Sequence, residues 1–222
     1  MLQVHFLDTD SFQFSHSQRA DITQLAEEAD ELVRASLPLA DHLHLLVEGS
    51  ADVLATGDNA HTIAPHLIRW LADPAVDITA VARKHLRQAF AHEAFHAARF
   101  RRLAGEAGSH SWMQIAIGEG LATAFARDAT GATESWAVYD PAVIGSWAAE
   151  LLGQPVMSAE MSGWRFRHQD GRQWIAYRVG TWIVDSLREL SGDSPADLVW
   201  TPASEIAAAV PAIEGLIGDQ RA

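Results

Sequence analysis

The sequence predicts an α+β protein: a small mixed sheet with one helix in the N-terminal part, packed on a mainly helical C-terminal part. Short apolar runs typical of strands flank one amphipathic stretch before residue 77. No Pro or Gly interrupts residues 78–104, and helical apolar spacing recurs in most later segments. We therefore expect one domain over residues 1–222, with an α/β part at 1–77 and a helical part at 78–222.

The first three elements follow from hydrophobic periodicity. Val4–Thr9 and Leu43–Glu48 are short apolar runs and are interpreted as strands. Gln18–Ser36 between them is predicted to be a helix, since its apolar residues recur at helical spacing and its acidic residues lie mostly on the opposite side. The apolar stripe of this helix comprises Ile22, Leu25, Ala26, Ala29, Leu32 and Val33.

A third strand is predicted at Thr62–Trp70. Pro65 favours an edge position for it, because proline cannot donate a ladder hydrogen bond. The preceding residues 55–61 contain Gly, Asp and Asn and indicate a turn.

Residues 78–104 predict a long buried helix. Asp77 or Thr79 is suited to cap its start, and Gly105 to end it. Arginines near its C-terminal end suit the helix dipole. Apolar residues at helical spacing place it in the core, namely Leu86, Ala89, Phe90, Ala97, Phe100 and Leu103.

Within this helix, residues 92–96 read His-Glu-Ala-Phe-His. Positions i and i+4 share a helix face, so the imidazoles of His92 and His96 point the same way and form a pair of zinc ligands. Glu93 lies beside them and is placed to accept a proton from an activated water. His85 lies about 10 Å earlier along the axis, too far to share the metal, and is interpreted as a polar or structural residue.

A catalytic zinc usually takes three protein ligands. A pattern with Gly at 99 and His at 102 is excluded, because both positions are Arg. Glu106 and His110 lie in a Gly/Ser-rich segment, which is a poor ligand support. Glu119 is the better candidate, since it stands alone in an apolar predicted helix at 112–126, where a carboxylate needs a cation or a metal. The alternative pairs Glu119 with an Arg of the preceding helix.

The glycines on either side of Glu119 are expected to let its backbone approach the histidine helix closely. Farther along the chain, helical spacing predicts helices at Pro141–Leu152, Gln173–Leu190 and Pro202–Val210.

These motifs resemble those of the gluzincin clan of metallopeptidases. More narrowly, the chain resembles a bacterial family of predicted Zn-dependent proteases, formerly a domain of unknown function. The matching pieces are the run at 92–96, Gly-Glu-Gly-Leu-Ala at 118–122 and Ala-Tyr-Arg-Val-Gly at 176–180. The resemblance implies a zincin-like fold whose zinc is held by His92, His96 and Glu119, with Glu93 as the general base.

The resemblance also implies that Tyr177 stabilises the tetrahedral oxyanion. His168, in a polar loop, is the alternative donor. In gluzincins an edge strand binds the extended peptide, and Asn59–Ile63 is the candidate segment, although an ordinary hairpin turn accounts for it equally well. One position departs from the pattern: where thermolysin has an acidic residue four positions after its ligand Glu, this chain has Thr123.

Composition limits the remaining classes. The 222 residues carry a net charge of −13 and no cysteine, which argues against a nucleic-acid partner and excludes thiolate metal sites. The N-terminus lacks the pattern of a signal peptide and no apolar run reaches membrane-spanning length, so we expect a cytoplasmic protein. The expected partner is a peptide or protein substrate. The alternatives are a zinc-binding protein without protease activity, and a helical domain without metal.

Overall fold

The computed structural model describes residues 1–103, 111–155, 161–211 and 213. Its mixed α+β architecture confirms the predicted fold class. The chain forms two compact units, Met1–Arg102 with Asp128–Gly131, and Leu103–Arg127 with Ala132–Ala222. The single domain over 1–222, with its division after residue 77, stays a prediction.

The strands are β1 (Leu2–Leu7), β2 (Leu43–Gly49), β3 (Asp58–Ala64) and β4 (Leu67–Ala72). The helices are α1 (His16–Arg34), α2 (Ile78–Val81), α3 (Arg87–Phe100), α4 (Trp112–Thr130), α5 (Ile144–Leu152), α6 (Met161–Arg165), α7 (Ile175–Ser191) and α8 (Ala203–Ala208). A π-helical turn at Ala82–Leu86 joins α2 to α3, and Ser135–Ala137 forms a 3₁₀ turn. None of the helices in the described part of the chain is long and apolar enough to cross a membrane.

The four strands form one mixed sheet in the order β1-β2-β4-β3. β1, β2 and β4 are parallel, whereas β3 pairs antiparallel with β4 and lies at the edge. The prediction of one strand over Thr62–Trp70 is wrong, because the chain reverses in a turn at Pro65 and His66 and makes two strands there. The turn between β3 and β4 is so short that the apolar patterns of the two strands look like one continuous pattern in the sequence. The predicted turn at 55–61 also ends early, since β3 begins at Asp58.

The sheet buries one face beneath helices. Along β2, buried residues alternate with partly exposed ones, as a half-buried strand requires. Helix α1 begins with a capping box in which Ser15 and Gln18 each accept from the other's backbone. The residues that α1 and β2 bury are Ile22, Ala26, Ala29 and Val33, with Leu43, Leu45 and Val47. Each of the larger side chains contributes about 1.5–3 kcal/mol by its burial.

The predicted long helix forms and begins where expected. The side chain of Asp77 accepts a hydrogen bond from the backbone N–H of Ala80 at 3.1 Å, so Asp77 is its N-cap. The helix then widens into the π-helical turn, which contains His85, and returns to α geometry at Arg87. It ends at Phe100; the predicted stop at Gly105 lies outside the described residues.

Helices α4 and α7 touch backbone to backbone at two glycines. A Cβ atom on Gly180 would lie 1.7 Å from the carbonyl oxygen of Ala116, and one on Gly120 would lie 2.1 Å from the carbonyl carbon of Gly180. Gly118, by contrast, has nothing within 4 Å of its Cβ position. Residues two apart on a helix point about 200° apart, so the two glycines beside Glu119 face different ways. In the structure Gly120 therefore contacts α7. The sequence had led us to expect that both glycines lie against the histidine helix.

This contact predicts opposite effects for two glycine substitutions, one on α7 and one on α4. Gly180→Ala should lower the free energy of unfolding by about 3 kcal/mol or prevent folding, because the methyl group meets backbone that cannot rotate away. Gly118→Ala should raise it by about 0.5–1 kcal/mol, because alanine favours a helix interior and meets no atom. Urea unfolding monitored by circular dichroism measures both. Equal stability of the two variants would contradict the close approach.

Candidate metal centre

Helix α3 presents two imidazoles on one face. The Nε2 atoms of His92 and His96 lie 3.2 Å apart, and their ring centroids lie 4.9 Å apart. Two nitrogens bound to one tetrahedral zinc, each at about 2.0–2.1 Å, would be separated by about 3.3–3.4 Å. The spacing therefore suits a shared metal ion with almost no rearrangement of the rings.

The helix backbone beneath the two histidines is held by the core. Three neighbours of the histidines, Ala91, Ala94 and Phe95, are fully buried. α3 packs on β3, β4 and α1, which leaves the helix little freedom to rotate. Buried residues other than the two histidines thus fix the direction in which the histidine side chains point.

Glu119, on α4, supplies a third group. One ligand atom from each of His92, His96 and Glu119 lies within 4.8 Å of the others, and within residues 1–103, 111–155, 161–211 and 213 this is the group of three that can hold a metal ion. Two imidazole nitrogens and one carboxylate oxygen are a donor set that suits zinc. Glu119 is 6% exposed, so its negative charge requires a cation nearby. The donor chemistry and the spacing fit the metal that the sequence predicts.

A cationic partner for Glu119 comes from α6. Arg165 donates from Nη2 to Oε1 of Glu119. The negative charge of Glu119 raises the pKa of the Arg165 guanidinium above its usual range, and a hydrogen bond between Arg165 and Tyr177 adds to the shift. The arginine that the structure pairs with Glu119 therefore follows it in the chain, whereas the alternative drawn from the sequence placed the arginine on the preceding helix.

Tyr177 reaches this cluster because of the glycine contact. It lies one turn before Gly180 on α7, so the two residues share a helix face. Gly180 touches α4 at Gly120, the residue that follows Glu119. The close approach of the two backbones thus brings the Tyr177 face of α7 to the turn of α4 that carries Glu119. Tyr-x-x-Gly, a weak motif in sequence, is a packing motif in the structure.

The start of α7 is strained. Trp174 caps the helix with φ +60° and ψ +35°, and it is the non-glycine residue with positive φ in the described chain. Such a conformation costs about 1–2 kcal/mol. The Trp174 ring packs edge-on against Tyr177 and Phe166 and lies 5.2 Å from the ring of Trp136. These contacts hold the first turn of α7, from which Tyr177 projects.

Glu93 is 8% exposed and faces β3. The hydroxyl oxygen of Thr62 lies 2.8 Å from Oε2 of Glu93 and 2.7 Å from its backbone oxygen. The sequence predicts that Thr62 lies in a strand, but it does not predict the contact between Thr62 and Glu93. One signal was available: Thr62 is the polar member of an alternating Ala60, Thr62, Ala64 set on an otherwise small-residue face.

His168 is occupied elsewhere. Its Nδ1 lies 2.9 Å from a carboxylate oxygen of Asp170, and its ring stacks on Trp164 with centroids 4.4 Å apart. Arg172 pairs with both Asp170 and Glu150, so His168 lies beside a group of ion pairs near the bridge between Arg167 and Gln173.

Three further residues that the sequence analysis named have different outcomes. Thr123 is 1% exposed, and its hydroxyl has no hydrogen-bond partner among the atoms that the structure describes. The hydroxyl is therefore buried one helical turn beyond Glu119, at the position where the sequence departs from thermolysin. Glu106 and His110 lie outside the described residues.

Comparison with known protein families shows a match over much of the chain. A family model described as "Predicted Zn-dependent protease (DUF2268)" matches residues 71–208. The matched segment contains the histidine pair, Glu93, Glu119, Arg165 and Tyr177. No curated protein and no solved structure matches the chain at a significant level.

The ion pair at Glu119 generates a prediction about metal-free protein. After chelation, Arg165→Gln should lower the free energy of unfolding by about 1–3 kcal/mol, because a buried carboxylate loses a cationic partner. Added zinc should recover most of that loss, since the metal supplies the missing positive charge. Thermal unfolding with and without zinc measures both effects.

Arg83→Gln is the matched control. Arg83 pairs with Asp21 at 2.9 Å, but its side chain is 64% exposed, so the loss should stay below about 1 kcal/mol and should not respond to zinc. If Arg165→Gln behaves like Arg83→Gln, the burial argument for Glu119 is wrong.

Proposed function

Since the chain belongs to the family of predicted Zn-dependent proteases, we propose that it is a zinc metallopeptidase of the gluzincin type that hydrolyses peptide bonds. The observation that carries the proposal is the convergence of His92, His96 and Glu119 within 4.8 Å, with the buried carboxylate of Glu93 one residue from the first ligand. Peptides or proteins are the proposed substrates.

We propose that His92, His96 and Glu119 hold the zinc ion. When bound, zinc supplies Lewis-acid chemistry, which lowers the pKa of a water molecule and polarises a carbonyl group. The protein's contribution is to hold two imidazoles and one carboxylate close together. Arg165 restrains the carboxylate of Glu119, and the core beneath α3 restrains the imidazoles.

Glu93 is the proposed general base. It accepts a proton from the attacking water while the water oxygen bonds to the carbonyl carbon of the peptide. As the C–N bond breaks, Glu93 returns that proton to the leaving nitrogen. A positioned acid–base group of this kind contributes about 10²–10⁴-fold to the rate.

Tyr177 is the proposed donor to the oxyanion. Two observations support this role: Tyr177 lies one turn before Gly180, which contacts α4 beside Glu119, and it interacts with Arg165. The ring of His168, by contrast, stacks on Trp164. A phenol that donates to the oxygen where charge develops stabilises the transition state more than the ground state.

The peptide is proposed to bind along Asn59–Ile63. These residues lie in β3, which is one of the two edge strands of the sheet and packs on α3. An edge strand carries backbone donors and acceptors that an extended peptide can use.

The ligand set predicts metal content. Untagged wild-type protein should carry about one zinc per chain, and His96→Ala and Glu119→Ala should lose it or bind it at least 10-fold more weakly, because each removes one of three ligands. Elemental analysis after zinc addition and dialysis measures this. His85→Ala, which removes an imidazole from the π-helical turn, is the control and should keep its zinc. Full zinc retention by both ligand variants would exclude the proposed site.

Glu93→Gln separates catalysis from metal binding. It should keep its zinc and lose peptide hydrolysis by at least about 10²-fold, because the amide cannot accept the proton. Hydrolysis of a labelled protein and of a mixed peptide library gives the turnover. Glu31→Gln, which removes an exposed carboxylate on α1, should be as active as wild type. Wild-type activity in Glu93→Gln would exclude Glu93 as the base, while zinc-loaded wild type without any hydrolysis would favour a zinc-binding protein without protease activity.

A further inference from the structure

The edge strand contacts the proposed general base directly. Thr62 on β3 is the residue that makes this contact, through a hydroxyl oxygen 2.8 Å from Glu93 Oε2 and 2.7 Å from the Glu93 backbone oxygen. Both distances are those of good O–H···O hydrogen bonds. One hydroxyl therefore has two acceptors within reach, and both belong to the same residue.

The local strand geometry aims Thr62 at α3. Thr62 lies opposite Ile68 on β4, and directly opposed residues project from the same face of a sheet. Ile68 is completely buried, so that face is the one covered by helices. Immediately after Thr62 the register between β3 and β4 shifts, and Ile63 is left 55% exposed. Irregularities of this kind redirect side chains and are frequent beside active sites.

The chemistry of a hydroxyl suits a carboxylate partner. A hydroxyl carries one proton to donate and lone pairs with which to accept. The Thr62 hydroxyl can donate to Oε2 of Glu93, 2.8 Å away, or to the Glu93 backbone oxygen, 2.7 Å away. A donor that lies this close to both the side chain and the backbone of Glu93 restricts where the carboxylate can lie.

We propose that Thr62 is a positioning residue for Glu93, and that the hydrogen bond from its hydroxyl holds the Glu93 carboxylate in one position. This rests on the proposed role of Glu93 as general base. The catalytic proton itself moves between water, Glu93 and the leaving nitrogen, and Thr62 takes no part in that transfer. Through the side chain of Thr62, the strand that is proposed to bind the peptide contacts the proposed general base.

A purely structural role would be different. Thr62 would then tie β3 to α3 through the backbone oxygen of Glu93, and its loss would lower stability without moving the carboxylate. The two roles are separable, because stability reports the tie between the elements, and the position of the Glu93 side chain reports the positioning.

The experiment compares Thr62→Val, which is nearly isosteric but lacks the hydroxyl, with Thr62→Ser, which keeps it. Thr62→Ala serves as a second hydroxyl-free variant if valine does not fold. The matched control is Thr56→Val, since Thr56 precedes the same strand and donates to the Asp58 backbone oxygen at 3.3 Å, away from Glu93. Each zinc-loaded protein is measured for zinc content, for the Glu93 side-chain position by crystallography, and for kcat and KM on a peptide substrate.

In Thr62→Val the zinc content should equal that of wild type, and the Glu93 carboxylate should leave its wild-type position or occupy several. Its kcat should fall about 10-fold to 100-fold, the range for loss of one hydrogen bond to a charged group, while KM stays within about twofold. Thr62→Ser should keep the carboxylate in place and recover kcat to within about threefold, and Thr56→Val should match wild type in both.

The proposal is overturned if Glu93 stays in place in Thr62→Val, or if serine and valine lower kcat equally. Failure of the proposed function gives a different result. If zinc-loaded wild type cleaves no peptide but Glu93 still moves in Thr62→Val and not in Thr62→Ser, Thr62 positions Glu93 and the protease assignment is wrong.

Discussion

Burial of negative charge is the constraint on which the centre depends. Glu93 and Glu119 are each less than a tenth exposed, and an isolated carboxylate in such surroundings is too unfavourable to persist. Glu119 is compensated by Arg165, and Glu93 accepts a hydrogen bond from Thr62. Each carboxylate therefore draws a residue from another element towards it: α6 in one case, β3 in the other. The elements around Glu93 and Glu119 thus supply a hydrogen-bonding or charged partner for each of these two side chains.

The residues of the candidate metal centre could be picked out from the sequence, because the signal at each of them is local. The i, i+4 spacing of His92 and His96 sets their common face, and a lone carboxylate in an apolar helix demands a positive charge. Asp77 as a cap, the N-terminal strands and helix, and the edge position of the segment at 59–63 are likewise found in the structure. Each of these depends on residues within one turn or one strand of each other.

What the sequence did not predict depends on pairs of residues far apart in the chain. Glu119 and Arg165 are separated by 46 positions, and Thr62 and Glu93 by 31. The need for a cation near Glu119 was foreseeable, but which arginine supplies it depends on how the short α6 is placed. The hairpin between β3 and β4 was missed for a different reason, since its two-residue connection does not interrupt the apolar alternation.

Trp174 has a consequence for the unfolded chain. Glycine would adopt the same left-handed conformation without strain, but it would also leave the unfolded backbone with many more accessible states and would remove three ring contacts. Compared with glycine, a bulky residue at this position is strained in the native state but loses less conformational entropy on folding. The backbone at the start of α7 therefore has few alternative conformations. The phenol of Tyr177, which projects from this turn, is restricted in position for the same reason.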